Sequence, residues 1–215
     1  MRFVKLVDAY AALLSQAAIT PISSILAILG WTGWKRQVKL ALVMATIRRL
    51  RKGEADLYRK MRLQSIADSP SAFETTYDAV MARSPESWRD QADESAEGSD
   101  RATFLAFAGE EPIGIAALYR VGQSADVGEL LQVWVVPGHR GTGVARALMD
   151  AVFSWAGKCG FRQVVAKVTS GNERALAFYK NYGFALADEP VGGGTGTRII
   201  SRSVPSGWAK SSPIG

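Results

Sequence analysis

Hydrophobic and polar positions alternate with a period that changes along this chain, and each change of period predicts a new element. Apolar residues recur at helical spacing in four segments: 54–67, 84–95, 143–157 and 173–181. Runs rich in β-branched and aromatic residues predict six strands: 45–51, 101–108, 113–120, 129–136, 163–169 and 198–204. The segments between them, such as 68–77, are rich in Ser, Pro, Thr and Gly and predict loops. The pattern therefore indicates a mixed α/β fold.

The first 43 residues differ from this alternation. They contain 26 consecutive uncharged residues, from Ala9 to Trp34, followed by a basic cluster. A run of this length is sufficient to span a bilayer, and the basic flank would keep the following domain in the cytoplasm. Pro21 and several Ser and Thr residues dilute its apolar character, however. The alternatives are helices packed on the domain, or an upstream extension without a role before a natural start at Met44.

The chain is accordingly divided into an N-terminal hydrophobic and basic extension (1–43), one domain (44–204) and a C-terminal tail (205–215). The net charge of +6 suggests a search for nucleic-acid contacts, but the extension alone contributes +4 of it. The rest of the chain has an ordinary surface balance without a basic stripe, so we expect no nucleic-acid partner. A membrane partner is expected only if residues 9–34 are an anchor.

Cysteine and histidine each occur once, as Cys159 and His139. A single cysteine forms no disulfide within the chain, and neither residue type is present in the number that a thiolate or multi-histidine metal site needs. We therefore expect no metal cofactor and a reducing, cytoplasmic setting.

A glycine-containing loop joins the predicted strand 129–136 to the helix 143–157. Its residues Arg140-Gly-Thr-Gly-Val-Ala145 combine a positive charge, two glycines that allow close backbone approach, and the free N–H groups of a helix start. A diphosphate suits such a loop. The lysine of a Walker loop is absent, and Arg146 occupies the position where a dinucleotide fingerprint needs a small residue. A tight turn without a ligand is the alternative.

A second segment runs from Asn172 to Phe184. Its sequence fits the pattern Asn-x2-Ala-x2-Phe-Tyr-x3-Gly-Phe at every fixed position. Asn172 is placed to start a helix, and Tyr179 lies about two turns later on the same face. The two segments, in this order and about 30 residues apart, resemble the GNAT superfamily of N-acetyltransferases. The resemblance extends over residues 44–204.

This resemblance implies a central, mostly antiparallel twisted sheet flanked by helices, and acetyl-CoA as the co-substrate. The main chain of Val133, Trp134 and Val135 would contact the pantetheine arm. Asn172 and Tyr179 would also contact the cofactor, and the diphosphate would lie on the loop made of Arg140, Gly141, Thr142, Gly143, Val144 and Ala145. The acetyl group would pass by direct attack of an amine, which leaves Cys159 without a role as nucleophile.

Acetyl transfer needs a general acid for the departing thiolate and an amine that has lost its proton. Tyr179 is the candidate acid, with simple packing in the helix face as the alternative. Glu129 is the candidate base, because the resemblance places a catalytic glutamate eleven residues before Arg140. Strand alternation predicts that Glu129 shares a face with Leu131, Val133 and Val135. Water as the base, and an ordinary strand-end carboxylate, remain open.

The acceptor has no legible signature in the sequence. A primary amine of a small molecule or a protein is expected. Four acidic residues lie between the first two predicted helices or at the start of the second, which we call the acceptor region: Asp68, Glu74, Asp78 and Glu86. They either favour a cationic amine or belong to the ordinary surface. A catalytically inactive module that senses acetyl-CoA is the second hypothesis. A homodimer is also open.

Overall fold

The computed structural model describes residues 45–122, 124, 126–187 and 197–205. The predicted extension 1–43 and all but the first residue of the tail 205–215 lie outside these ranges. Within them, seven strands form one sheet in the order β1-β2-β3-β4-β5-β7-β6. The strands are Thr46–Arg49 (β1), Arg101–Ala108 (β2), Glu111–Arg120 (β3), Val127–Val135 (β4), Gln163–Thr169 (β5), Ala185–Leu186 (β6) and Thr197–Ser203 (β7).

All neighbouring strands pair antiparallel except β4 and β5, which are parallel. This confirms the expected mostly antiparallel sheet flanked by helices. The parallel pairing is short, from Val127 opposite Gln163 to Leu130 opposite Ala166. Both strands continue beyond these residues without pairing to each other or, on that side, to any other described residue, so they separate at their carboxyl ends.

Five helices in the described ranges flank the sheet. They are Ala55–Asp68 (α1), Tyr77–Met81 (α2), Pro85–Glu97 (α3), Val144–Lys158 (α4) and Glu173–Asn181 (α5). In α4 the buried residues Val144, Leu148 and Val152 repeat every four positions, which forms the apolar stripe that packs on one face. On the opposite face α1 and α3 contribute Tyr58 and Trp88, whose rings meet edge to face at 5.5 Å.

Four short elements were not predicted, and one of them is the 3-10 turn at Pro137–His139 between β4 and α4. Helix α2 begins at the last residue of the predicted loop 68–77, directly after Thr76, whose hydroxyl accepts a hydrogen bond from the Ala79 N–H. The loop itself contains a 3-10 turn at Pro70–Ala72. Strand β6 has only two residues. Elements of two to five residues are shorter than the periods that a sequence pattern needs, so the hydrophobic pattern carried no signal for them.

The predicted alternation along β4 is wrong beyond Leu131. The register shifts at this point, and Gln132 has a φ of 61°. This bulge reverses which residues face which side. Leu130 and Val135 both belong to the α4 side of the core, whereas Trp134 belongs to the α1 side. Glu129 therefore shares a face with Leu131 but not with Val133 or Val135.

Among the described helices, none has both the length and the apolar character that crossing a bilayer requires. The uncharged run from Ala9 to Trp34, on which the prediction of an anchor depends, lies outside the described residues.

Candidate functional site

The separation of β4 from β5 opens a groove at the carboxyl ends of these strands. Two adjoining cavities occupy it, with volumes of about 350 Å³ and about 590 Å³. The smaller cavity lies beside Glu129, Gln132 and Lys167, and the larger cavity runs along the glycine-containing loop to Arg174. The residues that line both are Ala72, Phe73, Val133, Asn172, Ala175 and Tyr179.

The glycine-containing loop has the geometry of an anion site. Gly141 and Gly143 have φ values of 77° and 93°, a conformation that side chains rarely adopt. Among the described residues, no acceptor takes a hydrogen bond from the N–H groups of residues 141–145. These donors begin α4, where the helix dipole favours negative charge. A Cβ at Gly143 would meet no atom within 4 Å, so the backbone faces open space.

The side chain of Arg140 does not point freely into the larger cavity. Its Nε donates to the carbonyl of Val135 at 2.9 Å, and its Nη2 pairs with the carboxylate of Asp68. Asp68 also accepts a hydrogen bond of 2.8 Å from the indole Nε1 of Trp134. Arg140 therefore fastens the loop to β4 and to the end of α1, and its charge is partly neutralised by Asp68.

Asp68 has an unusual environment for a carboxylate at a helix end. Partial burial alone would raise the pKa of Asp68, but hydrogen bonds from Ser69, Trp134 and Arg140, together with the charge of Arg140, lower it below its usual value. The carboxylate is thus held ionised next to the loop. Asp68 was expected only as an acceptor-region acid, because 72 positions of chain separate it from Arg140 and no local pattern joins the two.

The three residues of β4 that were predicted to contact the pantetheine arm differ in their main-chain directions. The N–H of Val136 donates to Ile113 on β3 at 2.9 Å. Because main-chain groups alternate between the two sides of a strand, those of Val133 and Val135 face away from β3, into the groove. Trp134 has its main chain on the β3 side, so the structure does not favour a main-chain contact there.

Three other residues that were predicted to bind the cofactor differ in their contacts with the groove: Thr142, Val144 and Asn172. Val144 packs its side chain in the core, and neither Val144 nor Thr142 lines a cavity. Thr142 instead donates from its hydroxyl to the carbonyl of His139 at 2.6 Å, which closes the loop. Asn172 lines both cavities and caps α5, where its side-chain oxygen accepts a hydrogen bond of 3.1 Å from Ala175.

Tyr179 lies where the two cavities meet. Its side chain is 9% exposed, and its ring packs against Phe178 and Phe184 at centroid distances of 5.4 Å. Burial raises the pKa of its phenol well above the usual value. No described residue forms a hydrogen bond with its hydroxyl, in contrast to Tyr182 on the same helix end, which donates to Asp150 at 2.7 Å. A protonated phenol is thus available at the junction.

Glu129 lines the smaller cavity and pairs with Lys167 of β5, with 3.2 Å between oxygen and nitrogen. The pair bridges the two strands where their pairing ends. Cys159 lines neither cavity, and burial raises the pKa of its thiol, which favours the protonated thiol over the nucleophilic thiolate. In the described part of the chain, no three His, Cys, Asp or Glu residues lie close enough together to hold a metal ion.

The sequence reasoning missed the polar residues beneath the smaller cavity. The amide of Gln132 donates to the hydroxyl of Tyr58 at 3.0 Å, and Gln91 donates to the hydroxyl of Tyr119 at 2.9 Å. Burial raises the pKa of Tyr58, so this hydroxyl stays protonated. Arg62 also lines this cavity. These residues come from α1, α3, β3 and β4, and only the fold brings them together.

Residues 66–184 match the family described as the acetyltransferase (GNAT) family. An uncharacterized N-acetyltransferase of Mycobacterium tuberculosis is 40% identical over 74 residues, which is 34% of this chain and 46% of the relative. The match thus spans about half the length of that relative.

Two solved structures share the fold. A GNAT acetyltransferase from Streptococcus pneumoniae has a TM-score of 0.63 at 16% identity, over 75% of this chain and 99% of its own. The PaiA N-acetyltransferase of Thermoplasma acidophilum, solved in complex with coenzyme A, has a TM-score of 0.59 at 17% identity, over 74% and 98% of the two chains.

Proposed function

Because the chain belongs to the acetyltransferase (GNAT) family, we propose that it transfers the acetyl group of acetyl-CoA to a primary amine of a small molecule or a peptide. The observation that carries this proposal is the position of Tyr179, whose side chain lines both cavities and has a hydroxyl without a hydrogen-bond partner among the described residues. A donor cavity and an acceptor cavity that meet at one proton source suit a direct transfer.

The larger cavity fits coenzyme A. The unpaired N–H groups of the loop that contains Gly141 and Gly143 would hold the diphosphate. The groove-facing main chain of Val133 and the N–H of Val135, whose carbonyl is bonded to Arg140, would bind the pantetheine arm as a neighbouring strand does. The coenzyme A complex of the Thermoplasma relative, which shares the fold, is consistent with this assignment. Asn172, whose amide nitrogen has no partner among the described residues, would add a further contact.

The proposed reaction is a direct transfer without an acetylated enzyme. The amine nitrogen attacks the thioester carbonyl carbon, a C–N bond forms, and the C–S bond breaks. Tyr179 gives its proton to the departing sulfur, and the amine loses a proton to Glu129 or to water. The phenol suits this task because burial keeps it protonated across the pH range in which amines react.

The test measures the release of thiol from acetyl-CoA when the full chain is given a panel of primary amines. Calorimetry measures the binding of acetyl-CoA in parallel. We expect binding without an acceptor and thiol release that depends on the acceptor. Binding without turnover, across a panel that includes small amines and peptides, would favour the sensor hypothesis. Absence of binding by the folded protein would overturn the assignment of the larger cavity.

A further inference from the structure

Arg62 is a buried cation without an acidic partner among the described residues. It lies on α1 and is 7% exposed, yet it lines the smaller cavity. Within the described ranges its guanidinium forms one hydrogen bond, from Nη1 to the Ser65 hydroxyl at 3.3 Å, and lies 5.1 Å from the ring of Phe73. By contrast, Arg48 pairs with Glu54 at 2.7 Å. A buried charge is costly unless it is paired, so an unpaired arginine needs an explanation.

The neighbouring cavity residues do not supply the missing anion. Glu74 and Glu129 also line the smaller cavity, but neither lies within ion-pair distance of Arg62, and Glu129 already pairs with Lys167. Tyr58 and Tyr119 contribute phenols near Arg62, and Arg83 contributes a second positive charge. Burial lowers the pKa of the guanidinium, but arginine remains protonated at neutral pH. Arg62 therefore brings an unmatched positive charge to the lining of the smaller cavity.

We infer that the acetyl acceptor is an amine that also carries a carboxylate, which Arg62 binds in the smaller cavity. This inference rests on the proposed function and specifies its substrate class. The planar guanidinium matches a carboxylate through two parallel hydrogen bonds, and its Nε and Nη2 have no partner among the described residues. The cavity volume of about 350 Å³ suits a small molecule such as an amino acid. Glu129 and Glu74 lie where the amino end of such a molecule would be bound.

The wild-type test compares acceptors that differ in the carboxylate alone. Lysine, lysinamide and cadaverine are one such set, and further amino acids with their amides and decarboxylated amines provide others. The values of kcat/KM are corrected for the fraction of unprotonated amine. We expect the acids to exceed both counterparts by roughly 10-fold or more, the discrimination that a lost charged hydrogen bond produces. Equal values, or faster reaction of an aminophosphonate than of the matching acid, would overturn the inference.

Variants of α1 test the residue itself. Arg62→Gln should lower kcat/KM for the acid by roughly 10- to 100-fold and leave the decarboxylated amine within about twofold. Arg62→Lys keeps the charge but not the planar guanidinium, so kcat/KM for the acid should fall by roughly 3- to 10-fold. Lys60→Gln removes the same charge from the exposed side of α1 and should change neither value.

If Arg62→Gln lowered kcat/KM equally for the acid and for the decarboxylated amine, Arg62 would have a structural role and the inference would be overturned. Acetyl-CoA affinity, measured by calorimetry, is the control for an intact fold. If Arg62→Gln does not fold, Arg62→Lys carries the same comparison. Thiol release that depends on amines but is indifferent to the carboxylate would overturn this inference alone. Absence of release with every amine would overturn the proposed function instead.

Discussion

The side-chain amide of Gln132 donates a hydrogen bond to the hydroxyl of Tyr58, with 3.0 Å between nitrogen and oxygen. Gln132 is the one non-glycine residue with a positive φ in the described part of the chain. The bond therefore ties α1 to the point where β4 departs from regular strand geometry. Because β4 and β5 stop pairing two residues earlier, at Leu130, this bond supports the edge of the groove.

The first prediction separates the hydrogen bond of Gln132 from the strain of its backbone. Gln132→Ala loses the bond to Tyr58 and keeps the positive φ, so we expect a loss of about 1–3 kcal/mol in the free energy of unfolding. Gln132→Gly loses the same bond but relieves the φ, and should be the more stable of the two. Urea unfolding measures both. A glycine variant less stable than the alanine variant would show that the bulge is not strained.

The second prediction concerns the anion site of the loop. Gly143→Glu places a side chain and a negative charge among the unpaired N–H groups and should weaken acetyl-CoA binding at least about tenfold. Gly160→Glu is the matched control. Gly160 also has a positive φ and open space, but it lies beyond the other end of α4, a 15-residue helix that is about 22 Å long at 1.5 Å per residue. Calorimetry on the two folded variants measures the effect, and equal affinities would refute the loop assignment.

The third prediction uses the lowered pKa of Asp68. A carboxyl group with a folded pKa below its unfolded value, near 3.9, stabilises the fold above that pH and loses this contribution as pH falls through the folded pKa. Asp68→Asn removes the charge beside Arg140. Because the Asp68 side chain is 24% exposed, the loss at pH 7 should not exceed about 1 kcal/mol.

The difference in the free energy of unfolding between Asp68→Asn and wild type should shrink as the pH falls below about 3.9, the ordinary aspartate pKa. Urea unfolding at a series of pH values measures it. Glu110→Gln is the control, because it removes a carboxylate from the exposed turn between β2 and β3 that has no ion-pair partner among the described residues. A difference that stays constant with pH would mean that packing, not the charge of Asp68, stabilises this end of α1.

Local patterns were sufficient to predict most elements of this fold. The strand Arg101–Ala108 and the helix Glu173–Asn181 have the predicted bounds, because each has a clear period and a clear stop signal. The two motifs also indicated the family. The sequence does not reveal side-chain pairs that form between distant segments of the chain. The partner of Arg140 is such a case, since Asp68 lies on α1.

Arg62 lies at a position of α1 where helical spacing already predicts burial. Tyr58, Met61 and Ser65 form the buried stripe of α1, and Arg62 lies within it at the spacing of a core position. A charged residue at a core position indicates a functional role more often than a charged residue on the surface does. Hydrophobicity alone does not identify this face, because Met61 and Ile66 are buried but Leu57 is only half-buried. The face of a short helix is decided by what packs on it.

The fourth prediction addresses the amine side of the reaction. If Glu129 takes the amine proton, Glu129→Gln should lower kcat/KM by roughly 10- to 100-fold, most strongly at low pH, where unprotonated amine is scarcest. Lys167→Gln breaks the same ion pair but keeps the carboxylate, and should cost far less. Profiles of kcat/KM between pH 6.5 and 9.5 with one good acceptor compare them. Equal profiles for the two variants would mean that the pair only holds β4 beside β5, and that water is the base.

The fifth prediction concerns the proton that the thiolate receives. Tyr179→Phe keeps the packing against Phe178 and Phe184 and removes only the hydroxyl. We expect kcat to fall by roughly 100-fold while the affinity for acetyl-CoA holds within a few-fold. Since burial raises the pKa of Tyr179, wild-type kcat should show no decline from this group up to about pH 10, the ordinary pKa of tyrosine. Steady-state kinetics and calorimetry measure both quantities.

Tyr182→Phe is the matched control for the loss of a buried phenol. Tyr182 follows Tyr179 by three residues, and burial likewise raises the pKa of its phenol, but its hydroxyl is committed to Asp150 and it lines neither cavity. Its replacement should cost about 1 kcal/mol of stability and leave kcat nearly unchanged. If Tyr179→Phe retained full kcat with chemistry limiting turnover, Tyr179 would be a packing residue and water would be the acid. Equal losses in kcat and in acetyl-CoA affinity would instead assign Tyr179 to positioning the thioester.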